Sequence, residues 1–146
     1  MLATAKATVV GQRHPDKFVL GADQILECGS EWFDKPVDLP NARNHLKKLR
    51  GRRHRLVNGL AIVHQGSTVW TETAVATLEM REFSDSFLED YLRRSGEKIL
   101  NSVGAYLLEA EGAQLFRTID GDYFTILGLP LLPVLNFLRQ HNIIEA

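Results

Sequence analysis

The sequence predicts an α/β fold, in which a twisted mixed β-sheet is flanked by helices. A continuous apolar run indicates a buried strand, β-branched residues indicate a hairpin, and three segments carry apolar residues at helical spacing. The strand is predicted at 17–23, the hairpin at 54–82, and the three helices at 39–50, 85–95 and 130–140. No internal repeat or linker interrupts the 146 residues, so we expect one domain, 1–146.

The first quarter of the chain predicts a helix, a strand and a loop. Residues 2–10 are Ala-rich and indicate a short helix. The strand at 17–23 ends in Gly-Ala-Asp, which places the carboxylate of Asp23 where a buried strand meets a loop. Glycine, serine and proline residues then predict a loop over 27–37.

The middle of the chain predicts a helix, a hairpin and a second helix. The helix at 39–50 is preceded by Asp38, a residue type that favours the N-cap. A Gln-Gly-Ser turn joins the hairpin arms at 55–64 and 68–81, which are rich in β-branched residues. A Ser-Asp-Ser cap begins the helix at 85–95.

The last third of the chain begins with a Gly- and Ala-rich segment at 101–114. A short strand is predicted at 115–119, and a Gly-Asp turn leads from it into 123–128. A Leu-Pro pair begins the C-terminal helix, whose leucines recur at helical spacing.

Composition limits the classes of function. The net charge of -1 offers no basic excess for nucleic acid, and no apolar run approaches the ~20 residues that span a bilayer. The single cysteine, Cys28, fits a reducing compartment, and the first residues have no signal-peptide core. We therefore expect a cytoplasmic protein with no nucleic-acid partner and no membrane partner.

Several standard catalytic motifs are absent from the sequence. Neither a Gly-x-Gly-x-x-Gly fingerprint nor a Walker phosphate loop occurs. The five histidines lack metal-ligand spacing, and no serine lies in a Gly-x-Ser-x-Gly elbow. Cys28 has no obvious histidine partner, so carboxylates and lysines are the better candidates.

The remaining candidates are Asp23, Lys35, Lys6 and the segment 104–113, which contains Glu109. A carboxylate at a strand end with a lysine nearby is a natural site for a phosphate or a metal-bound phosphate. The same residues also have structural interpretations. Asp23 can cap a turn, Lys6 can be a surface lysine, and 104–113 can pack closely and leave its glutamates solvated.

Separated motifs, in order along the chain, resemble the Maf family. They run from about residue 3 to 140: Ala5-Lys6-Ala7, Gly21-Ala22-Asp23-Gln24, Lys35-Pro36, Leu49-Arg50-Gly51-Arg52-Arg53-His54, Tyr91 to Gly96, Gly104-Ala105-Tyr106, Gly112-Ala113, and Gly121-Asp122-Tyr123 through Gly128-Leu129-Pro130-Leu131. The resemblance implies a Maf/ITPase-like fold. It also implies a nucleoside triphosphate pyrophosphatase, which cuts between the α- and β-phosphates and releases a monophosphate and pyrophosphate.

The resemblance implies a role for each candidate residue. Asp23 matches the family's general base or metal ligand, with a divalent cation, Mg²⁺ or Mn²⁺, as cofactor. Lys6 and Lys35 match lysines that contact the substrate phosphates. Gln24 and Glu109 match positions that influence base choice, in a combination that resembles the branch acting on 7-methyl-GTP. A carboxylate can pair with the positive charge of the methylated base, and it can also accept from the N–H donors of plain GTP, which stays an alternative substrate. A homodimer is a further possibility that the sequence leaves open.

One family motif is missing from the sequence. The family opens with Ser-x-Ser-Pro-Arg-Arg on a first strand, whereas this chain begins near the family's Lys-Ala helix. We therefore expect an N-terminally truncated Maf-like domain without its first strand and helix. We also expect a poor catalyst, because the missing arginines would clamp the triphosphate. The alternative is a non-catalytic nucleotide-binding or septum-formation regulatory protein.

Overall fold

The structure is a computed structural model that describes residues 2–145. These residues form two compact units. The first unit contains the residues up to Gln24, Val57–Val75 and the residues from Asp122 onward. The second unit contains Ile25–Leu56 and Ala76–Gly121. Three long strands contribute residues to both units, and each unit buries its own set of apolar side chains.

Helices and strands are interspersed along the chain, and the α/β class is confirmed. In chain order the elements are α1 (Leu2–Gly11), β1 (Val19–Cys28), β2 (Glu31–Phe33), α2 (Leu39–Leu49), β3 (Arg53–His64), β4 (Ser67–Met80), α3 (Asp85–Ser95), β5 (Phe116–Asp120), α4 (Tyr123–Ile126) and α5 (Leu131–Gln140). Short 3₁₀ helices lie between α3 and β5. The strands form one sheet in the order β2-β1-β3-β4-β5.

The sheet is antiparallel where the sequence predicted a mixed one. β1 pairs antiparallel with β2, and β4 pairs antiparallel with β5. β3 and β4 are joined by only two residues, a connection that allows an antiparallel pair alone. β1 and β3 also run in opposite directions, because Glu27 pairs with Arg55 whereas Cys28 contacts the carbonyl of Arg53. Every neighbouring pair in the described sheet is thus antiparallel.

Two predictions for this region are wrong. β1 continues to Cys28, so Asp23 lies within the strand and not at its end. The predicted loop over 27–37 contains β2. Gly29 takes a φ of 64°, and the chain reverses within the two residues that separate β1 from β2. Phe33 then lies opposite Leu26 and is only 4% exposed. Burial of this aromatic side chain stabilises a strand too short to show a periodic pattern.

In the second unit, the Gly104–Tyr106 motif is packed against the protein itself. Gly104 has a φ of 78°, and a Cβ there would lie 2.5 Å from the Leu26 side chain and 2.7 Å from the Tyr106 ring. The Tyr106 hydroxyl hydrogen bonds to Nε2 of His54 at 2.9 Å in the buried core. Burial lowers the pKa of His54 to about 4 and raises the pKa of Tyr106. The structural interpretation therefore holds for this part of the segment 104–113.

Candidate functional site

Asp23 and Lys6 form an ion pair in the first unit. Lys6 Nζ donates to Asp23 Oδ1 at 2.5 Å. The Lys6 side chain is 52% exposed and the Asp23 side chain 22% exposed, so both groups are accessible from solvent. The pair places a carboxylate, which can accept a proton or bind a cation, beside an ammonium group that can donate to phosphate oxygens.

Small residues bring Lys6 to Asp23. A Cβ at Gly21 would lie 2.2 Å from the carbonyl oxygen of Ala3 and 2.9 Å from the Cβ of Ala7, so α1 lies directly on β1 at this glycine. Ala3 and Ala7 are each 1% exposed. Gly21 and Asp23 are two residues apart in one strand and therefore share a face, the face on which α1 lies. The small residues of the Gly-Ala-Asp and Ala-Lys-Ala motifs thus serve one purpose, which is to let α1 pack closely on β1.

Gln24 belongs to the opposite face of β1 from Asp23, because successive side chains of a strand alternate. Its Nε2 lies 3.2 Å from Asn58 Oδ1, 3.1 Å from the carbonyl oxygen of Thr125 and 3.3 Å from that of Ile126. The observed contacts of Gln24 are therefore to the protein. Its role in base choice stays a prediction.

Asn58 and Thr125 complete this cluster, and sequence reasoning missed both. Asn58 is 0% exposed, and its Nδ2 donates to the carbonyl oxygen of Thr125 at 2.9 Å. Asp122 caps α4 by accepting from the backbone N–H of Thr125 at 2.9 Å. The available signal was an amide in the middle of an apolar strand, because a buried polar group requires a partner. Gln24, Asn58 and the carbonyls of Thr125 and Ile126 are called the Gln24–Asn58 cluster below.

Lys35 and Glu109 lie in the second unit. Lys35 is exposed shortly after β2, and Glu109 is exposed in a turn that precedes the last 3₁₀ helix. Glu111 has a carboxylate oxygen 3.3 Å from the guanidinium of Arg94, and its side chain is 41% exposed. The predicted solvation is therefore observed for Glu109 and in part for Glu111. Of the predicted site residues, the structure brings together Lys6 and Asp23. Gln24 is next to Asp23 in β1, but its side chain lies on the opposite face.

Two clefts lie away from these residues. In the first unit, a groove of about 440 Å³ is lined by Trp70 of β4 and Phe137 of α5. In the second unit, a pocket of about 210 Å³ is lined by Tyr91, Arg94 and Glu111. None of the predicted site residues lines either cleft. The role of Asp23 in chemistry stays a prediction, which rests on its sequence motif and on its exposure.

The described residues contain no group of three or more His, Cys, Asp or Glu side chains arranged to hold a metal ion. A cation at Asp23 would thus need ligands from another source, as Mg²⁺ sites commonly take from substrate phosphates. Among residues 2–145, no helix combines the length and apolar character that crossing a membrane requires.

Comparisons with known proteins show the family of this chain. The family profile described as Maf-like protein matches residues 1–141. A nucleoside triphosphate pyrophosphatase of Paramagnetospirillum magneticum is 50% identical over 142 residues, which cover 97% of this chain and 73% of that protein. A 7-methyl-GTP pyrophosphatase of Rhizobium johnstonii is 50% identical over 146 residues, which cover 100% of this chain and 73% of that protein.

Proposed function

We propose, since this chain belongs to the Maf-like family, that it hydrolyses a nucleoside triphosphate to the monophosphate and pyrophosphate. The observation that carries the proposal is the accessible Lys6–Asp23 pair, held where the family motifs predict chemistry. Relatives that are 50% identical are named nucleoside triphosphate pyrophosphatase and 7-methyl-GTP pyrophosphatase. No observation on the described residues favours the non-catalytic alternative.

Asp23 acts on the attacking water in this proposal. Its carboxylate orients the water and accepts a proton while the new bond to phosphorus forms. The bond between the α- and β-phosphates breaks at the same time, and pyrophosphate leaves with the electron pair. At 22% exposure the Asp23 side chain is accessible to the water and still held by the protein. These are the requirements for a positioned general base.

Lys6 and Lys35 are the proposed phosphate contacts. An ammonium group carries three donors, so Lys6 can keep its bond to Asp23 and also donate to a phosphate oxygen. Lys35 is exposed and has a long side chain that presents a point charge to an anion. Both lysines would stabilise the charge that develops on the phosphates during transfer.

A divalent cation, Mg²⁺ or Mn²⁺, is the proposed cofactor, and Asp23 is the residue that would hold it. One or two carboxylates together with substrate phosphates are the usual ligands of Mg²⁺, so a lone carboxylate fits this requirement. When bound, the cation would neutralise charge on the phosphate oxygens.

Base choice is proposed to rest on Glu109. Its exposed carboxylate has acceptors only, which suit the N1–H and N2 donors of guanine and the positive charge of a 7-methylated ring. We therefore propose 7-methyl-GTP as the favoured substrate. Overall identity does not decide between substrates, because relatives with either name are 50% identical to this chain.

The cytoplasm is the proposed location. Nucleoside triphosphates are made and used there, and the chain carries one cysteine, Cys28, which is free and buried. A free thiol is typical of a reducing compartment. Fractionation of cells that express a tagged protein would test this location, and recovery outside the cytoplasmic fraction would contradict it.

The test combines nucleotide binding with pyrophosphate release from dTTP, UTP, GTP and 7-methyl-GTP, in the presence of Mg²⁺ or Mn²⁺. Asp23→Asn keeps the shape of the side chain and removes its charge, so we expect turnover to fall by about two to four orders of magnitude. Asp16→Asn is the matched control, because Asp16 also pairs with a lysine, Lys17, at 3.2 Å but is 72% exposed. Binding without release would favour the non-catalytic alternative. If the chain neither binds a nucleotide nor releases pyrophosphate, the proposal is refuted.

A further inference from the structure

The Gln24–Asn58 cluster lies directly behind Asp23 on the other side of β1. Asn58 is 0% exposed, and both ends of its amide are engaged, Oδ1 by Gln24 and Nδ2 by the carbonyl of Thr125. A buried amide with its partners in place is held in one rotamer. The cluster is therefore a fixed point of the first unit.

This fixed point joins three segments that are far apart in the chain. Gln24 lies on β1, Asn58 lies on β3, and the two carbonyl acceptors lie on α4, 101 and 102 residues after Gln24. Asp122 fixes α4 in turn, through its bonds to the backbone N–H and the hydroxyl of Thr125. The helix that supplies the two carbonyl acceptors is thus held by contacts that do not involve Gln24.

Asp23 is connected to the cluster by one peptide bond. The backbone of Gln24 cannot shift without moving the backbone of Asp23, and the Lys6 contact holds only the tip of the Asp23 side chain. The contacts of Gln24 therefore bear on the direction in which the Asp23 carboxylate leaves the strand. A misplacement of about 1 Å at such a group can cost about a hundredfold in rate.

We infer that Gln24 and Asn58 are positioning residues, which fix the orientation of Asp23 by tying β1 to β3 and α4. The inference rests on the proposed function, in which Asp23 is the catalytic group. It gives Gln24 a role that differs from base recognition, since its Nε2 is shared among three protein acceptors.

Two variants of Gln24 test the inference by steady-state kinetics. Gln24→Met keeps the length of the side chain and removes its donors, so we expect kcat to fall about 10- to 100-fold with KM changed less than about threefold. Gln24→Glu regains one donor when its carboxyl is protonated. The ratio of its kcat to that of the wild type should therefore rise as the pH falls from 8 to 5, whereas the ratio for Gln24→Met should stay flat. Gln140→Met, at an exposed position on α5, is the matched control.

Hydrogen exchange supplies a readout that needs no turnover. In Gln24→Met the amides of residues 22–25 and 125–128 should exchange at least about tenfold faster, with the amides of α5 unchanged. Unaltered exchange in those two segments would overturn the inference. So would an unaltered kcat in an enzyme that is active, or an equal fall of kcat in Gln140→Met. Failure of the proposed function is recognised separately, because the wild-type chain would then release no pyrophosphate. In that case hydrogen exchange alone decides whether the Gln24–Asn58 cluster holds β1.

Discussion

Replacing Gly21 by alanine tests the contact that carries Lys6 to Asp23. The added Cβ would lie 2.2 Å from the carbonyl oxygen of Ala3, 2.9 Å from the Cβ of Ala7 and 3.0 Å from the backbone nitrogen of Ala7. None of these atoms can rotate away, so α1 has to move off β1. Overpacking of this kind costs about 1–3 kcal/mol, which corresponds to a fall of about 2–12 °C in Tm for a chain of this size.

Gly59→Ala is the matched control for this substitution. A Cβ at Gly59 would meet only the Cβ of Ala3, at 3.9 Å, which is an ordinary van der Waals contact. We expect Gly59→Ala to be neutral or slightly stabilising, because alanine restricts the unfolded chain. Thermal and urea unfolding of both variants give the comparison. Equal stability of the two variants would show that α1 does not rest on Gly21, and the reason given for the Lys6–Asp23 pair would be wrong.

Two further predictions concern pH and base choice. Burial lowers the pKa of His54 to about 4 from the ordinary 6.5, so the unfolded chain takes up this proton first as the pH falls. The stabilising contribution of neutral His54 is complete above about pH 6.5, and up to about 3 kcal/mol is lost between pH 6.5 and 4. Urea titrations should show a smaller loss in His54→Gln, and equal losses would contradict this assignment. Glu109→Gln should lower kcat/KM for 7-methyl-GTP relative to dTTP and UTP by about 5- to 100-fold. Glu111 pairs with Arg94, so the control variant Glu111→Gln should not change that ratio. An unchanged ratio in Glu109→Gln would exclude contact between Glu109 and the base.

The helices at 2–10, 39–50, 85–95 and 130–140 could be predicted because they rest on local patterns, whereas the four residues of α4 are too few to show one. Asp38 accepts from the backbone N–H of Asn41 at 2.7 Å, as an N-cap residue three positions earlier should. The hairpin of β3 and β4 follows from β-branched residues on either side of a two-residue turn. β2 escaped prediction because three residues are too few to show a period, and its stability comes from the burial of Phe33.

In the candidate site, too, the residues named by local motifs could be predicted and the long-range contacts could not. Asp23 and Lys6 are named by motifs, and the small residues around them explain why a helix and a strand approach there. The partners of Gln24 lie 34, 101 and 102 residues away, and only the strand register decides which of them it meets. A single sequence does not specify that register, because a shift of one residue would present a different face of each strand.

The two acceptors that α4 offers to Gln24 are main-chain carbonyls. Every amino acid supplies such a carbonyl, so a mutation of Ile126 keeps its acceptor as long as the turn keeps its shape. Asn58, in contrast, takes part through its side chain. Over evolutionary time, positions 24 and 58 are therefore constrained to change together, whereas position 126 can drift alone under packing constraints. Thr125 is the exception within α4, because its hydroxyl also bonds to Asp122.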